Sequence, residues 1–267
     1  MNIFKIIQDI EKVDGDVYER LSSRRSAMSS FGSFGKKVAV AAVPLAMGSM
    51  FKKAYGQSTG GVLDVLNFAL TLEYLESEFY SQGLAASGLN LGDNKNFFME
   101  VSKNETAHVK FLEDTIKALK GTPVAKPTFD FSAGGAFADW NSNPQTFMAI
   151  SQAFEDTGVR AYKGQAGNLV SNSDVLTAAL QIHAVEARHA SIIRRIRGLN
   201  GWITGDERGA GMPAPTQAVY DGEAETMQAG VDITAVSKVS AANATEAFDE
   251  PLSKDAVLAI ATLFIKA

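Results

Sequence analysis

The chain has 267 residues, 46% hydrophobic and 21% charged, enough apolar material for a sizeable core and too much for disorder throughout. A formal net charge of -5, with no basic patch beyond Arg194, Arg195 and Arg197, argues against nucleic-acid binding. No cysteine is present, which excludes disulfides, thiolate catalysis and cysteine-ligated metal, so any metal must sit on oxygen and imidazole.

From Met1 to Leu21, residues Ile3, Ile6, Ile7, Ile10, Val13 and Val17 recur at helical spacing and predict a short amphipathic helix. Ser23-Arg24-Arg25-Ser26 then precedes Gly35-Lys36-Lys37, an apolar run from Val38 to Met50, and Ala54-Tyr55-Gly56. That is the charged, apolar and small-residue order of an export signal, and the adjacent arginines make it resemble a twin-arginine signal. The apolar run is too short for a stable membrane span. Pro44 and the pair Ala27-Met28 depart from the signal pattern, and an N-terminal helical arm packed on the main domain is the other reading of residues 1–56. The protein is expected to be periplasmic or exported, and cytoplasmic if that segment is a structural arm.

Behind the linker Ser58-Thr59-Gly60-Gly61, residues 57–198 are expected to form a bundle of four long helices. The first, about Val62 to Ala86, carries Leu66, Ala69, Leu70, Glu73, Glu76 and Tyr80 on one side. The second, about Lys95 to Lys120, aligns Phe97, Val101, Glu105, His108, Leu112, Ile116 and Leu119, with Gly121 as its stop. Gly121 to Asn143, with Pro123, Pro127, Gly134 and Gly135, reads as a long crossover rather than a tight hairpin. The third helix, about Pro144 to Val170, opens on proline and places Met148, Glu155, Val159, Tyr162, Ala166 and Leu169 on one side. The fourth, about Ser173 to Arg197, shows Val175, Ala179, Ile182, Glu186, His189, Ile193 and Ile196 at helical spacing, and its terminal arginines complement the helix dipole. Residues 199–267 are an extended segment with little periodicity, which must wrap the bundle, cover it as a lid or be mobile, followed by a short helix from Lys254 to Lys266 capped by Ser253.

Charged residues in the middle of apolar stripes carry the functional reading. Glu105-Thr106-Ala107-His108 and Glu186-Ala187-Arg188-His189 share one spacing, and each has a glutamate upstream at nearly equal distance: Glu73 lies 32 residues before Glu105, and Glu155 lies 31 before Glu186. Residues three apart share a helix face, so each carboxylate and imidazole can address one volume between helices. Two such pairs plus one glutamate from each of two further helices deliver four carboxylates and two imidazoles to a bundle core, as in di-iron and di-manganese carboxylate proteins. Bridging carboxylates offset the charge of two metal ions, and the imidazoles leave a coordination position for dioxygen, peroxide or water. Aligning Glu73 with Glu155 also sets Tyr80 opposite Tyr162, each seven residues on, which favours Glu73 over Glu76 and Glu78 as a ligand. Tyr80 and Tyr162 are then either hydrogen-bond partners of the ligating carboxylates or plain core tyrosines. His183 reads as a flank residue.

The segment Leu66-Asn67-Phe68-Ala69-Leu70-Thr71-Leu72-Glu73-Tyr74-Leu75-Glu76-Ser77-Glu78-Phe79-Tyr80, with the two Glu-x-x-His pairs, resembles bacterial ferritin-like proteins related to plant desiccation-related proteins. The resemblance covers about Val62 to Gly198 and extends to Ala247-Phe248-Asp249-Glu250-Pro251-Leu252. It implies an all-α, ferritin-like four-helix bundle with Glu73, Glu105, His108, Glu155, Glu186 and His189 as ligands of two iron or manganese ions. The expected function is an oxidoreductase acting on peroxide or dioxygen, ferroxidase-like or manganese-catalase-like. The alternative is a non-catalytic metal-binding or stress-protective protein, and a homo-oligomer fits either. If the export reading holds, Arg24→Lys with Arg25→Lys will retain the protein in the cytoplasm; unchanged delivery to the periplasm on cell fractionation would rule that reading out.

Overall fold

The computed structural model describes residues 61–266, and both readings of residues 1–56 fall outside that range. Four long helices, α1 (Val62–Ala85), α2 (Lys95–Ala118), α3 (Pro144–Ala166) and α4 (Ser173–Ile196), lie within about two residues of the expected bounds except where α3 tightens into a 3-10 turn at Gly167–Leu169. Local chemistry sets their starts. Asn143 accepts a hydrogen bond from Gln145 N ahead of Pro144, and Asn172 accepts one from Val175 N. Helices α1 and α2 form one hairpin and α3 and α4 a second, and the two hairpins meet chiefly through α1 and α3.

The stop of α2 differs from the expected one. Lys120, not Gly121, takes the left-handed conformation (φ 62°), and Gly121 N closes the turn on Ile116 O at 2.9 Å. Gly121 is needed for space instead, because a Cβ there would lie 2.6 Å from the Leu63 side chain. The crossover that follows is packed down by aromatic residues. Phe131 and Trp140 are buried against Phe79, and Phe79 stacks on Phe147 with ring centroids 4.7 Å apart.

Residues 198–252 wrap the outer side of α3. They contain a 3-10 turn at Ala214–Val219, a two-stranded hairpin of β1 (Met227–Gln228) and β2 (Val231–Asp232), and the short helices α5 (Ile233–Ser237) and α6 (Ala241–Thr245). Then α7 (Lys254–Ala261), capped by Ser253, packs on α1 and α3. The chain beyond α7 meets the crossover, where Asp130 N donates to Phe264 O and Lys266 N to Thr128 O, both at 2.8 Å.

This wrapping buries α3 on nearly all sides, including the polar side that an amphipathic reading leaves to solvent. Asp156 accepts from Arg194 through both oxygens, at 3.1 and 2.8 Å, and from the Tyr220 hydroxyl at 2.8 Å. Arg194 is thus a buried ion-pair partner, not a surface charge at a helix end. Arg160, 1% exposed, pairs with Glu223 at 2.7 Å and donates to the carbonyls of Val219, Asp221 and Glu250. Buried charges persist only when paired and bonded in this way. The tail backbone passes close to α3 at Gly164, where a Cβ would sit 2.0 Å from Leu252 O. Gly164→Ala is therefore expected to lower the thermal unfolding midpoint, at a cost of about 1–3 kcal/mol; a variant as stable as the parent would contradict this packing.

Candidate metal centre

Each long helix sends a glutamate to one level of the bundle: Glu73 from α1, Glu105 from α2, Glu155 from α3 and Glu186 from α4. All four are fully buried. The three-residue spacing brings His108 to the level of Glu105 and His189 to that of Glu186. The structure therefore gathers all six of the expected residues. Their donor atoms form two groups, each within 4.8 Å: Glu73, Glu105, His108 and Glu186 in one, Glu105, Glu155, Glu186 and His189 in the other. Glu105 and Glu186 belong to both, a distinction between shared and terminal carboxylates that spacing in the sequence leaves open.

The distances within each group are short and even. His108 Nδ1 lies 3.0 Å from Glu105 Oε2 and 3.3 Å from both Glu73 Oε2 and Glu186 Oε1. His189 Nδ1 lies 3.0 Å from Glu105 Oε1 and 3.1 Å from Glu155 Oε2. Ligands about 2.1 Å from a shared cation and at right angles would stand roughly 3 Å apart, so these separations fit a metal site. Among the described residues, Glu73 Oε2, Glu105 Oε1 and both oxygens of Glu186 are buried without a hydrogen bond. Unpaired buried carboxylate oxygens are expensive in a protein interior, and cations would satisfy them. All the donors are oxygen or imidazole nitrogen, the chemistry that iron and manganese accept.

The two tyrosines act crosswise. Tyr80 of α1 donates to Glu155 Oε1 of α3, and Tyr162 of α3 donates to Glu73 Oε1 of α1, each at 2.5 Å. Burial, with the neighbouring glutamates, pushes both hydroxyls well above the usual tyrosine range, so they remain donors. Each fixes one oxygen of its glutamate and leaves the other facing a histidine.

One neighbour escapes a reading of the sequence. Asn104 lies 3.1 Å from His189 Nε2 and so orients the ring whose Nδ1 faces the carboxylates; being next to Glu105 in the chain was its only signal. Glu76, which the sequence places on the inward side of the first helix but ranks below Glu73 as a ligand, is buried one turn beyond Glu73, and its carboxylate lies with that of Glu186 over Gly158. It joins neither donor group. Burial first, then the charge of Glu186, raises its pKa well above the carboxylate range. His183 stays outside the cluster, half-buried, and burial lowers its pKa.

Burial also raises Glu73 to about 7, Glu186 to about 8, and Glu155 in the same direction. At His189 burial opposes the charge, but Glu155 and Glu105 outweigh it and lift the ring to about 11; the glutamates around His108 raise it too. All these folded-state values lie above those of the unfolded chain. The metal-free protein thus holds protons that its unfolded chain releases, a stabilisation fully present below about pH 4.5 and lost as pH rises through 7 and 8. The unfolding midpoint of chelator-treated protein should fall over that range, and bound divalent metal, which displaces the protons, should flatten or reverse the slope. Calorimetry across pH measures both, and a metal-free protein that gains stability over that range would refute the cluster's electrostatics.

A family model described as a ferritin-like domain matches residues 61–199, the stretch that holds all four long helices and all six clustered residues. A search of curated proteins finds no match.

Proposed function

The chain belongs to the ferritin-like domain family, whose model spans just over half of it, and from that premise we propose a dinuclear iron or manganese centre that acts as an oxidoreductase on peroxide or dioxygen. The observation that carries this reading is the position of Glu105, which has one oxygen 3.0 Å from each histidine Nδ1. A carboxylate placed between two nitrogen donors suits a bridge between two ions. In this reading Glu105 and Glu186 would be shared by the two ions, His108 and His189 would each hold one, and Glu73 and Glu155 would complete the set. Four carboxylates against two divalent ions would leave the buried centre close to neutral.

Bound iron or manganese would supply redox chemistry and Lewis acidity toward a small oxidant. The chain does the rest. Tyr80 and Tyr162 hold the terminal carboxylates in one orientation, and Asn104 does the same for the His189 ring. Phe98 beside Tyr80 and Phe79 beside Phe154 help keep bulk water from the site. The His108 side chain, 13% exposed against 6% for His189, marks the side on which a small oxidant would approach.

A second reading, a metal-binding or stress-protective protein without turnover, draws support from the complete burial of all four carboxylates. Elemental analysis and a peroxide assay separate the two. The parent protein should carry about two iron or manganese ions per chain, and His108→Ala with His189→Ala should lose them. Tyr80→Phe and Tyr162→Phe should each weaken metal binding about 10–100-fold. Rapid peroxide consumption by the loaded protein favours the enzyme, and metal without turnover favours the sequestering role. No metal in the parent protein would refute both.

A further inference from the structure

Helix α1 carries a second buried carboxylate that the six clustered residues leave unused. Glu76 is 3% exposed and lies three residues beyond Glu73, so it leaves α1 on the same side. Its surroundings are apolar: Leu72, Leu75 and Phe154, with Ile260 and Ala261 of α7, line the small space beside it. An aliphatic side chain would fill such a place without the cost of burying a carboxyl group. Packing alone therefore gives no reason for an acid there.

The internal duplication shows how the place is made. Aligning Glu73 with Glu155 and Tyr80 with Tyr162 sets Glu76 against Gly158, so where α1 has a second carboxylate α3 has no side chain. The two positions meet in space. A Cβ on Gly158 would lie 3.3 Å from Glu76 Oε1 and 3.2 Å from Glu186 Oε2, tighter than ordinary contact. The side chain missing from α3 is the room in which the carboxylates of α1 and α4 come together.

Glu186 supplies a second, independent observation. It belongs to both donor groups, and its Oε1 lies 3.3 Å from His108 Nδ1. Its Oε2, the oxygen that shares the space over Gly158 with Glu76, is buried without a hydrogen-bond partner. Such an oxygen calls for a positive neighbour, and a cation there would be within reach of a second carboxylate. A space of about 10 Å3, the size of one water molecule, adjoins Glu76, Thr157 and Gly158. The terminal torsion of a glutamate is soft, so with that room the Glu76 carboxylate can turn while α1 stays in place.

We propose that Glu76 is a seventh metal-ligating residue, which stands just outside the two donor groups here and joins Glu186 on a shared ion when the centre is loaded. The assignment rests on the dinuclear reading above. It makes the two halves of the centre unequal, because α1 brings a carboxylate that α3 does not match and Gly158 of α3 provides its space.

Titration of the chelator-treated full chain with manganese(II), followed by electron paramagnetic resonance, and with cobalt(II), followed by visible absorption, tests this. The parent protein should take up about two ions per chain. Glu76→Leu, which offers no donor atom, should weaken at least one of them about 10–100-fold and intensify the cobalt(II) bands, as a lower coordination number does. Gly158→Ala, which keeps Glu76 but crowds both oxygens, should also weaken binding. Glu78→Gln, at a half-buried glutamate paired with Lys126, should leave affinity and spectrum unchanged. Metal-free Glu76→Leu should unfold at or above the parental midpoint, since an apolar side chain replaces a buried acid; if it does not fold, the near-isosteric Glu76→Gln takes its place. A folded Glu76 variant with parental affinity for both ions and an unchanged cobalt(II) spectrum overturns the proposal and leaves the six-residue centre standing. A parent protein that takes up no metal removes the dinuclear reading and this assignment with it.

Discussion

Four glutamates at one level of a helical bundle, all fully buried, set the terms for everything around them. Ionised and unpaired they would be ruinous to stability, and protonated they would still leave oxygens without partners. The chain answers part of this itself: two tyrosine hydroxyls and two imidazoles each take carboxylate oxygens as acceptors or close neighbours. Of the carboxylates left with unpaired oxygens, Glu105 and Glu186 belong to both donor groups and Glu73 to one. A centre that tolerates its own charge only with protons or cations present couples folding to metal and to pH.

The duplicated sequence becomes a reciprocal structure. Glu73 and Glu155 sit on the two helices through which the hairpins meet, and the tyrosine of each helix holds the glutamate of the other. Neither hairpin supplies the tyrosine that bonds its own glutamate, so these two hydrogen bonds exist only where the hairpins meet. The symmetry is broken at the histidines. His189 has Asn104 on its outer nitrogen and is the more buried, whereas His108 is the more exposed. Two nearly equal sites thus differ in their access to solvent.

Helix α3 carries the cost of this arrangement. It is buried on the site side by the bundle and on the other by residues 198–252, and it needs buried ion pairs, Asp156 with Arg194 and Arg160 with Glu223, to make the second burial tolerable. At one end of the bundle this scaffold leaves an apolar gap, and Tyr162, whose hydroxyl holds Glu73, is one of the residues that line it.

The sequence by itself determined the four long helices, the long crossover and the six clustered residues, because helical periodicity and the repeated Glu-x-x-His spacing are local signals that burial only reinforces. It also separated Glu73 from Glu76 through the match of Tyr80 to Tyr162, although both glutamates are buried. Tertiary structure alone decided which carboxylates are shared between the histidines, which tyrosine meets which glutamate, and that Asn104 orients His189. Those are distances between helices, on which spacing along one helix is silent. The full burial of α3 was hidden for a related reason. Gln152, Asp156 and Arg160 fall outside the stripe of Met148, Glu155, Val159 and Tyr162; residues 60 or more positions downstream bring Tyr220 and Glu223 to cover them, and no periodicity in a helix announces a covering that arrives from so far along the chain.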